Sequence, residues 1–171
     1  MRIAILTISD RASTGEREDK TGPALVKMMV PLRWNLIKTG LVADDQAEIE
    51  AILREWSDSG EIDLILTAGG TGFSPRDCAP EATCAVIERH APGIAEAMRS
   101  ASLRITPHAM LSRAVAGIRA KTLIINLPGS PKAARENLEI VLPVLPHAVQ
   151  LLSEDPHAEA GHQFSSQMKR I

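Results

Sequence analysis

The stretch from residue 64 to 81, LILTAGGTGFSPRDCAPE, constrains this chain more than any other. It opens as an apolar run ending at Thr67, breaks into Gly69-Gly70-Thr71-Gly72, passes Arg76 and Asp77, and reaches Pro80-Glu81. The apolar run reads as a buried strand. Pro80 suits the first position of a following helix, because the N–H it lacks is one that a helix start leaves unpaired anyway. A glycine loop with hydroxyls, an arginine and an aspartate therefore falls at a strand-to-helix junction. In open α/β sheets that junction is where ligands bind.

Three glycines in four residues have a physical use. Without a Cβ they reach φ > 0 and let another backbone or a ligand approach closely. Consecutive N–H groups in such a loop form an anion-binding nest, and the helix that follows adds positive dipole character. Thr67, Thr71 and Ser74 add hydroxyl donors. Asp77 does not attract a bare phosphate, so its role is either magnesium ligand or helix N-cap. The glycines alone read as a tight turn; together with Thr, Ser, Arg and Asp they favour an anion or nucleotide site. Two common phosphate motifs are excluded. The P-loop needs a Gly-Lys pair, which occurs nowhere in the chain, and Pro75 stands where the dinucleotide fingerprint would have its last glycine.

Strand-like and helix-like segments alternate along the chain. Residues 3–8 read as a first buried strand and residues 10–20 as a polar loop. Residues 23–30 form a helix limited by Pro31, and residues 34–38 a short strand. A helix follows from Asp44 or Asp45, where Asp45-x-x-Glu48 resembles a capping box. Its apolar face is Ile49, Ile52, Leu53 and Trp56, and Gly60 ends it. Residues 62–67 form the strand before the glycine loop, residues 81–90 and 94–103 read as helices, and residues 110–120 fit either type. Residues 122–127 are another buried strand. A long helix begins near Pro131, and Pro143 and Pro146 bend or break it. The alternation specifies a three-layer α/β/α fold with a mostly parallel central sheet. One domain spans residues 1–155, and residues 156–171 form a polar C-terminal tail.

Composition excludes several functions. The chain has 171 residues, 44% hydrophobic and 23% charged, which fits one soluble globular domain. Nineteen basic against 21 acidic residues give a formal charge of −2, which argues against a broad nucleic-acid or membrane surface. Trp34, Trp56, Phe73 and Phe164 are the only aromatics, too few for base-stacking platforms. The apolar start is too short for a signal peptide, and no run is long enough to span a membrane. Cys78 and Cys84 fit neither a zinc motif nor a disulfide framework, so a reduced cytoplasm is the expected location.

Other residues fall at the same sheet edge. Asp44 follows a strand as the chain enters a helix. Spacing alone favours it as a helix cap, although two carboxylates from neighbouring loops can share one magnesium ion. Leu127-Pro128-Gly129-Ser130-Pro131 repeats the strand, turn, helix-start arrangement and reads as a rigid turn or a second anion site. Ser9-Asp10-Arg11 follows the first strand to that edge. Ser112-Arg113 lies in the ambiguous segment; both can be exposed polar residues, and Arg113 can simply pair with a carboxylate. None of the five histidines has ligand spacing, and His157 and His162 fall in the tail.

These residues carry a resemblance. Residues 67–72 (TAGGTG), 74–77 (SPRD), 80–83 (PEAT), 110–113 (MLSR) and 126–130 (NLPGS) resemble, in order, the molybdopterin adenylyltransferases of the MogA type and the amino-terminal domain of gephyrin. The likeness runs from about residue 3 to 152. Ala68 and Ala43 stand where the family often has Thr and Pro. The resemblance implies the molybdopterin-binding fold, usually as a homotrimer, and magnesium-dependent transfer of AMP from ATP to the terminal phosphate of molybdopterin. It implies catalytic and metal-binding roles for Asp44 and Asp77. Nucleotide binding falls to Thr67, Gly69, Gly70, Thr71, Gly72 and Ser74, and molybdopterin binding to Ser112, Pro128, Gly129 and Ser130. It further implies transient contact with a metal-insertion enzyme that takes the product. The alternatives are a MoaB-type paralogue and a carrier that binds the pterin without chemistry.

Overall fold

The computed structural model describes residues 1–154. The expected tail, with His157 and His162, lies outside the described residues. A six-stranded sheet forms the centre, with strand order β2-β1-β3-β6-β5-β4. Strands β1 (Arg2–Ile8), β2 (Asn35–Val42), β3 (Leu64–Ala68) and β6 (Thr122–Leu127) are parallel. Strands β5 (Ala116–Arg119) and β4 (Arg89–His90) close the far edge with antiparallel pairing. The sheet is thus mostly parallel, as the alternation indicated.

Burial explains the strand sequences. Every residue of β3 and β6 is buried, and so is every residue of β1 after Arg2. Central parallel strands covered on both faces need such unbroken apolar runs. Alternate side chains feed two cores. Ile3, Ile5, Leu64, Leu66, Leu123 and Ile125 pack on one face against helices α2 (Thr21–Leu32), α5 (Pro92–Leu103), α6 (Pro131–Val141) and α7 (Leu145–Leu152). Ala4, Leu6, Ile65 and Ile124 pack on the other face against α3 (Gln46–Asp58) and α4 (Ala79–Val86). Three layers result.

Several boundaries differ from the sequence expectation, each for a visible reason. The 10–20 loop contains a four-residue helix, α1 (Asp10–Ser13), whose N-cap Ser9 accepts from the Ala12 amide. Helix α2 starts two residues before Pro23 because Asp19 Oδ1 accepts from the amides of Thr21 and Gly22, at 2.8 and 3.0 Å. It also continues through Pro31 to a left-handed Arg33. Strand β2 extends beyond Lys38, through Gly40. There the Trp56 ring covers the glycine, and an added Cβ would sit 3.2 Å from it. The helix expected over 81–90 stops at Val86: the Glu88 amide donates to the Ile118 carbonyl at 2.8 Å and the Ala91 amide to that of Ala116 at 2.9 Å, making an edge strand instead. The ambiguous 110–120 segment divides into a 3-10 turn (Pro107–Leu111) and β5. Pro143 and Pro146 break the last helix into α6, a 3-10 turn and α7, as expected.

The strand order places the candidate site. After β1 the chain crosses to β2 on one side, whereas β3 lies on the other side of β1. Loops leaving β1 and β3 therefore diverge, and a crevice opens at their carboxyl ends.

Candidate active site

A cleft of about 780 Å³ occupies that crevice, and its walls come from the segments after β1, β2, β3 and β6. The glycine loop after β3 forms its floor. Gly69 has φ 117° and Gly70 φ 60°. A Cβ on Gly69 would overlap the Ile8 carbonyl oxygen, and one on Gly70 would lie 2.8 Å from Asp44 Oδ1. Only glycine combines these angles with such close approach.

The loop is braced through its carbonyl groups. Gly70 O accepts from the Ala79 amide at 3.1 Å and Thr71 O from the Arg113 amide at 2.9 Å. The Arg113 side chain donates from Nε to Gly72 O at 2.6 Å and from Nη2 to Asp77 O at 2.7 Å, and its Nη1 pairs with Glu81. With those carbonyls engaged, the loop's amides are the groups left for a ligand. Among the described residues, the amides of Gly70, Thr71 and Gly72 donate to no protein group. That is the arrangement of an anion nest.

Two carboxylates face this loop. Asp77 Oδ2 accepts from the Ser74 amide at 3.2 Å, and the Asp77 amide donates to Ser74 O at 2.9 Å. Asp44 lies in the turn between β2 and α3, one residue before the N-cap Asp45, which accepts from the Glu48 amide at 3.0 Å. Helix capping therefore falls to Asp45, which leaves Asp44 free for another role. Asp44 Oδ2 accepts from the Asp10 amide at 2.9 Å, and the Asp44 amide donates to Asp10 Oδ1 at 3.0 Å. Arg76 forks onto the same Asp10 carboxylate, with Nε at 3.0 Å and Nη2 at 2.9 Å.

The electrostatics separate these groups. Burial pushes the Asp44 carboxyl above the usual range, and the nearby charges of Asp10 and Asp77 push the same way. The Arg76 guanidinium holds Asp10 below the usual range, helped by the Asp44 amide, and Arg76 is raised in turn. Asp44 Oδ1 is buried without a hydrogen-bond partner. An orphaned carboxylate oxygen facing a second aspartate fits a cation. Among the described residues no group of three or more metal-ligating side chains occurs, so a cation here needs ligand oxygens from elsewhere. Magnesium, which uses one or two carboxylates together with phosphates and water, fits that donor set.

The structure divides the expected site residues into three groups. Asp44, Gly69, Gly70, Ser74, Asp77, Gly129 and Ser130 line the large cleft. Ser130 caps α6, its oxygen accepting from the Ala133 amide at 3.4 Å. Thr71, Gly72, Ser112 and Pro128 line a second pocket of about 280 Å³, which shares the glycine loop as a wall. Thr67 must be reassigned: it is fully buried, and its hydroxyl accepts from Asn126 Nδ2 at 2.9 Å. That amide also bonds Thr83, and Asn126 Oδ1 accepts from the Val115 amide, so Thr67 belongs to a buried polar node behind the loop.

Four contributors stand outside the expected site residues. Asp10, just after β1, and Arg76, in the loop between β3 and α4, meet only in the fold. Arg113 reaches the glycine loop across 41 positions. Thr21 Oγ1 donates to Gly129 O at 2.7 Å and seats the start of α2 against the turn after β6; nothing local in the sequence signals that bond.

Comparison with known proteins gives one answer. Residues 4–147 match the family "Probable molybdopterin binding domain". A molybdopterin adenylyltransferase of Helicobacter pylori (strain J99) is 45% identical, covering 89% of this chain and 88% of its own length. Gephyrin of Dictyostelium discoideum is 47% identical over 96% of this chain, which spans only 24% of that longer protein. Among solved structures, the molybdopterin biosynthesis enzyme MoaB of Thermus thermophilus superposes with a TM-score of 0.85 at 52% identity, covering 91% of this chain and 98% of that one.

Proposed function

We propose that this chain, which belongs to the molybdopterin-binding domain family, is a molybdopterin adenylyltransferase of molybdenum cofactor biosynthesis that transfers AMP from ATP to molybdopterin with magnesium. The observation that carries the detailed reading is the meeting of Asp44 and Asp77 over one glycine loop in the cleft at the sheet's switch point.

The reaction joins a terminal phosphate oxygen of molybdopterin to the α-phosphorus of ATP, while the bond from that phosphorus to the β-phosphate oxygen breaks and pyrophosphate leaves. No covalent enzyme intermediate is needed. Positioning and charge neutralisation supply the acceleration. The free amides of Gly70, Thr71 and Gly72 hold phosphate oxygens, and Arg113 keeps those amides in place. Asp44 and Asp77 would hold magnesium, which would supply the positive charge that the two carboxylates cannot. Ser74 and Ser130 add hydroxyls at the cleft walls.

The two pockets fit two substrates. The larger cleft takes the nucleotide and its phosphates. The smaller one, with Ser112 and Pro128, takes the pterin, whose phosphate then reaches the Gly129 to Ser130 turn beside the glycine loop. The protein works as a homotrimer in the cytoplasm and hands its product to the metal-insertion enzyme. This assembly rests on the family resemblance, and sedimentation at the monomer mass would remove it. Among the described residues no helix is long and apolar enough to cross a membrane.

The deciding experiment mixes purified protein with ATP, magnesium and molybdopterin. Adenylylated molybdopterin and pyrophosphate form with the wild type, fail to form with Asp77→Asn, and fail to form when magnesium is chelated. Tight pterin binding without product, in every combination, would instead identify a carrier.

A further inference from the structure

We propose that Asp10 is a positioning residue for the transfer, acting through Asp44; this rests on the reading of the cleft as the adenylyl-transfer site. The observation is the reciprocal clasp between the two residues. Each donates its backbone N–H to the other's carboxylate, at 2.9 and 3.0 Å. The two stand in the first turns after neighbouring strands β1 and β2. The Ser9 amide donates to the Val42 carbonyl at 2.9 Å and carries the strand pairing up to the clasp. The turn that presents Asp44 is thereby tied to β1 through side chain and backbone together.

Two further features give the clasp its function. The clasp occupies Oδ2 of Asp44 and leaves Oδ1 buried and unpartnered, at the face where Gly70 has no side chain. One oxygen anchors while the other is held for a ligand. Two carboxylates this close repel each other, and the Arg76 fork answers that repulsion. The Arg76 fork bonds Asp10 and not Asp44, so Oδ1 of Asp44 is left without a partner. A geometry fixed before substrate arrives spares the reaction the cost of ordering it.

Asp10→Ala removes the acceptor half of the clasp together with the acceptor of the Arg76 fork, while the backbone amide at position 10 still reaches Asp44 Oδ2. Asp10→Asn keeps a side-chain oxygen for the Asp44 amide and loses the charge. The test reads kcat and the KM for ATP for wild type and both variants. It also reads hydrogen exchange of the Asp44 amide by NMR in the ligand-free protein. The expected result for Asp10→Ala is a kcat lower by roughly tenfold to a hundredfold with the KM for ATP within about twofold. The Asp44 amide then exchanges faster while the amides of β1 and β3 stay protected. Asp10→Asn recovers most of both losses.

Wild-type kcat in Asp10→Ala, or unchanged exchange at Asp44, overturns the proposal. So does an Asp10→Asn as impaired as Asp10→Ala, because the carboxylate charge would then be the requirement and Asp10 a direct participant. If the wild type adenylylates nothing, the reading of the cleft fails; the Asp44 exchange rates then still uphold or overturn the clasp by themselves.

Discussion

The two turns that deliver Asp44 and Asp77 solve the same problem in opposite ways. Asp77 sits on a loop whose backbone is fastened by Arg113 through the carbonyls of Thr71, Gly72 and Asp77. Its side chain is satisfied locally by the Ser74 amide. Asp44 sits in a short turn held by a neighbouring side chain, and one of its oxygens is buried with nothing to bond. The first turn is stable as it stands and offers amides. The second holds a costly, raised carboxylate against burial and like charge. The cleft thus couples a rigid donor surface to a strained acceptor, a pairing suited to anionic phosphates with a cation between them.

Breaking either half tests the comparison. The largest effect is expected on turnover: Asp44→Asn and Asp77→Asn should each lower adenylylation by about a hundredfold or more, in line with loss of one transition-state electrostatic partner. A normal rate in one of them would reduce that turn to a helix entry. Next comes Gly69→Ala, which sets a side chain against the Ile8 carbonyl at a φ of 117° and should destabilise the fold by about 2–4 kcal/mol in denaturant unfolding. Full stability there would mean that the loop can rearrange, and that the cleft floor is not fixed.

Arg113→Met should lower stability by about 1–2 kcal/mol, since the guanidinium is partly solvated but its bonds to two carbonyls and the Glu81 pair depend on it. It should also raise the KM for ATP as the amide nest loosens. An effect on stability alone would separate the brace from binding.

The smallest effect has the opposite sign. In magnesium-free buffer at pH 7, Asp44→Asn should stabilise the fold by about 1 kcal/mol, because it removes a buried, unpaired charge. The sign of the pH dependence follows from the raised pKa. Wild-type Asp44 contributes its full stabilisation below the unfolded-state value near 3.8 and loses it as pH rises through the raised folded-state value. The advantage of the variant should therefore grow as pH rises through that range and vanish in acid. Unfolding midpoints of the two proteins across pH check this directly; a constant offset would mean that Asp44 is not under electrostatic strain.

Much of this arrangement was legible in the chain. The unbroken apolar runs of β1, β3 and β6 announced central parallel strands, and the glycine loop between β3 and α4 announced the ligand edge. Asp45 caps α3 at its expected place, and the breaks at Pro143 and Pro146 follow from a missing donor and a fixed φ. The site was legible as a set of loops at one edge. Its internal division was not: Thr67 looked like a ligand hydroxyl and lies in a buried node with Asn126 and Thr83.

The sequence by itself determined what local rules can decide: where strands become helices, which turns require glycine, and which residues stand at the carboxyl edge. Tertiary structure alone decided the rest. Residues 89–90 became a strand because the backbone of β5 offered hydrogen bonds that a further helical turn would have left unused. Asp10 came to hold Asp44, 34 positions away, because β1 and β2 pair in parallel register and end together. Hydrogen bonds and charge pairing act over a few ångströms in space, and distance along the chain does not reveal which groups folding brings within that range.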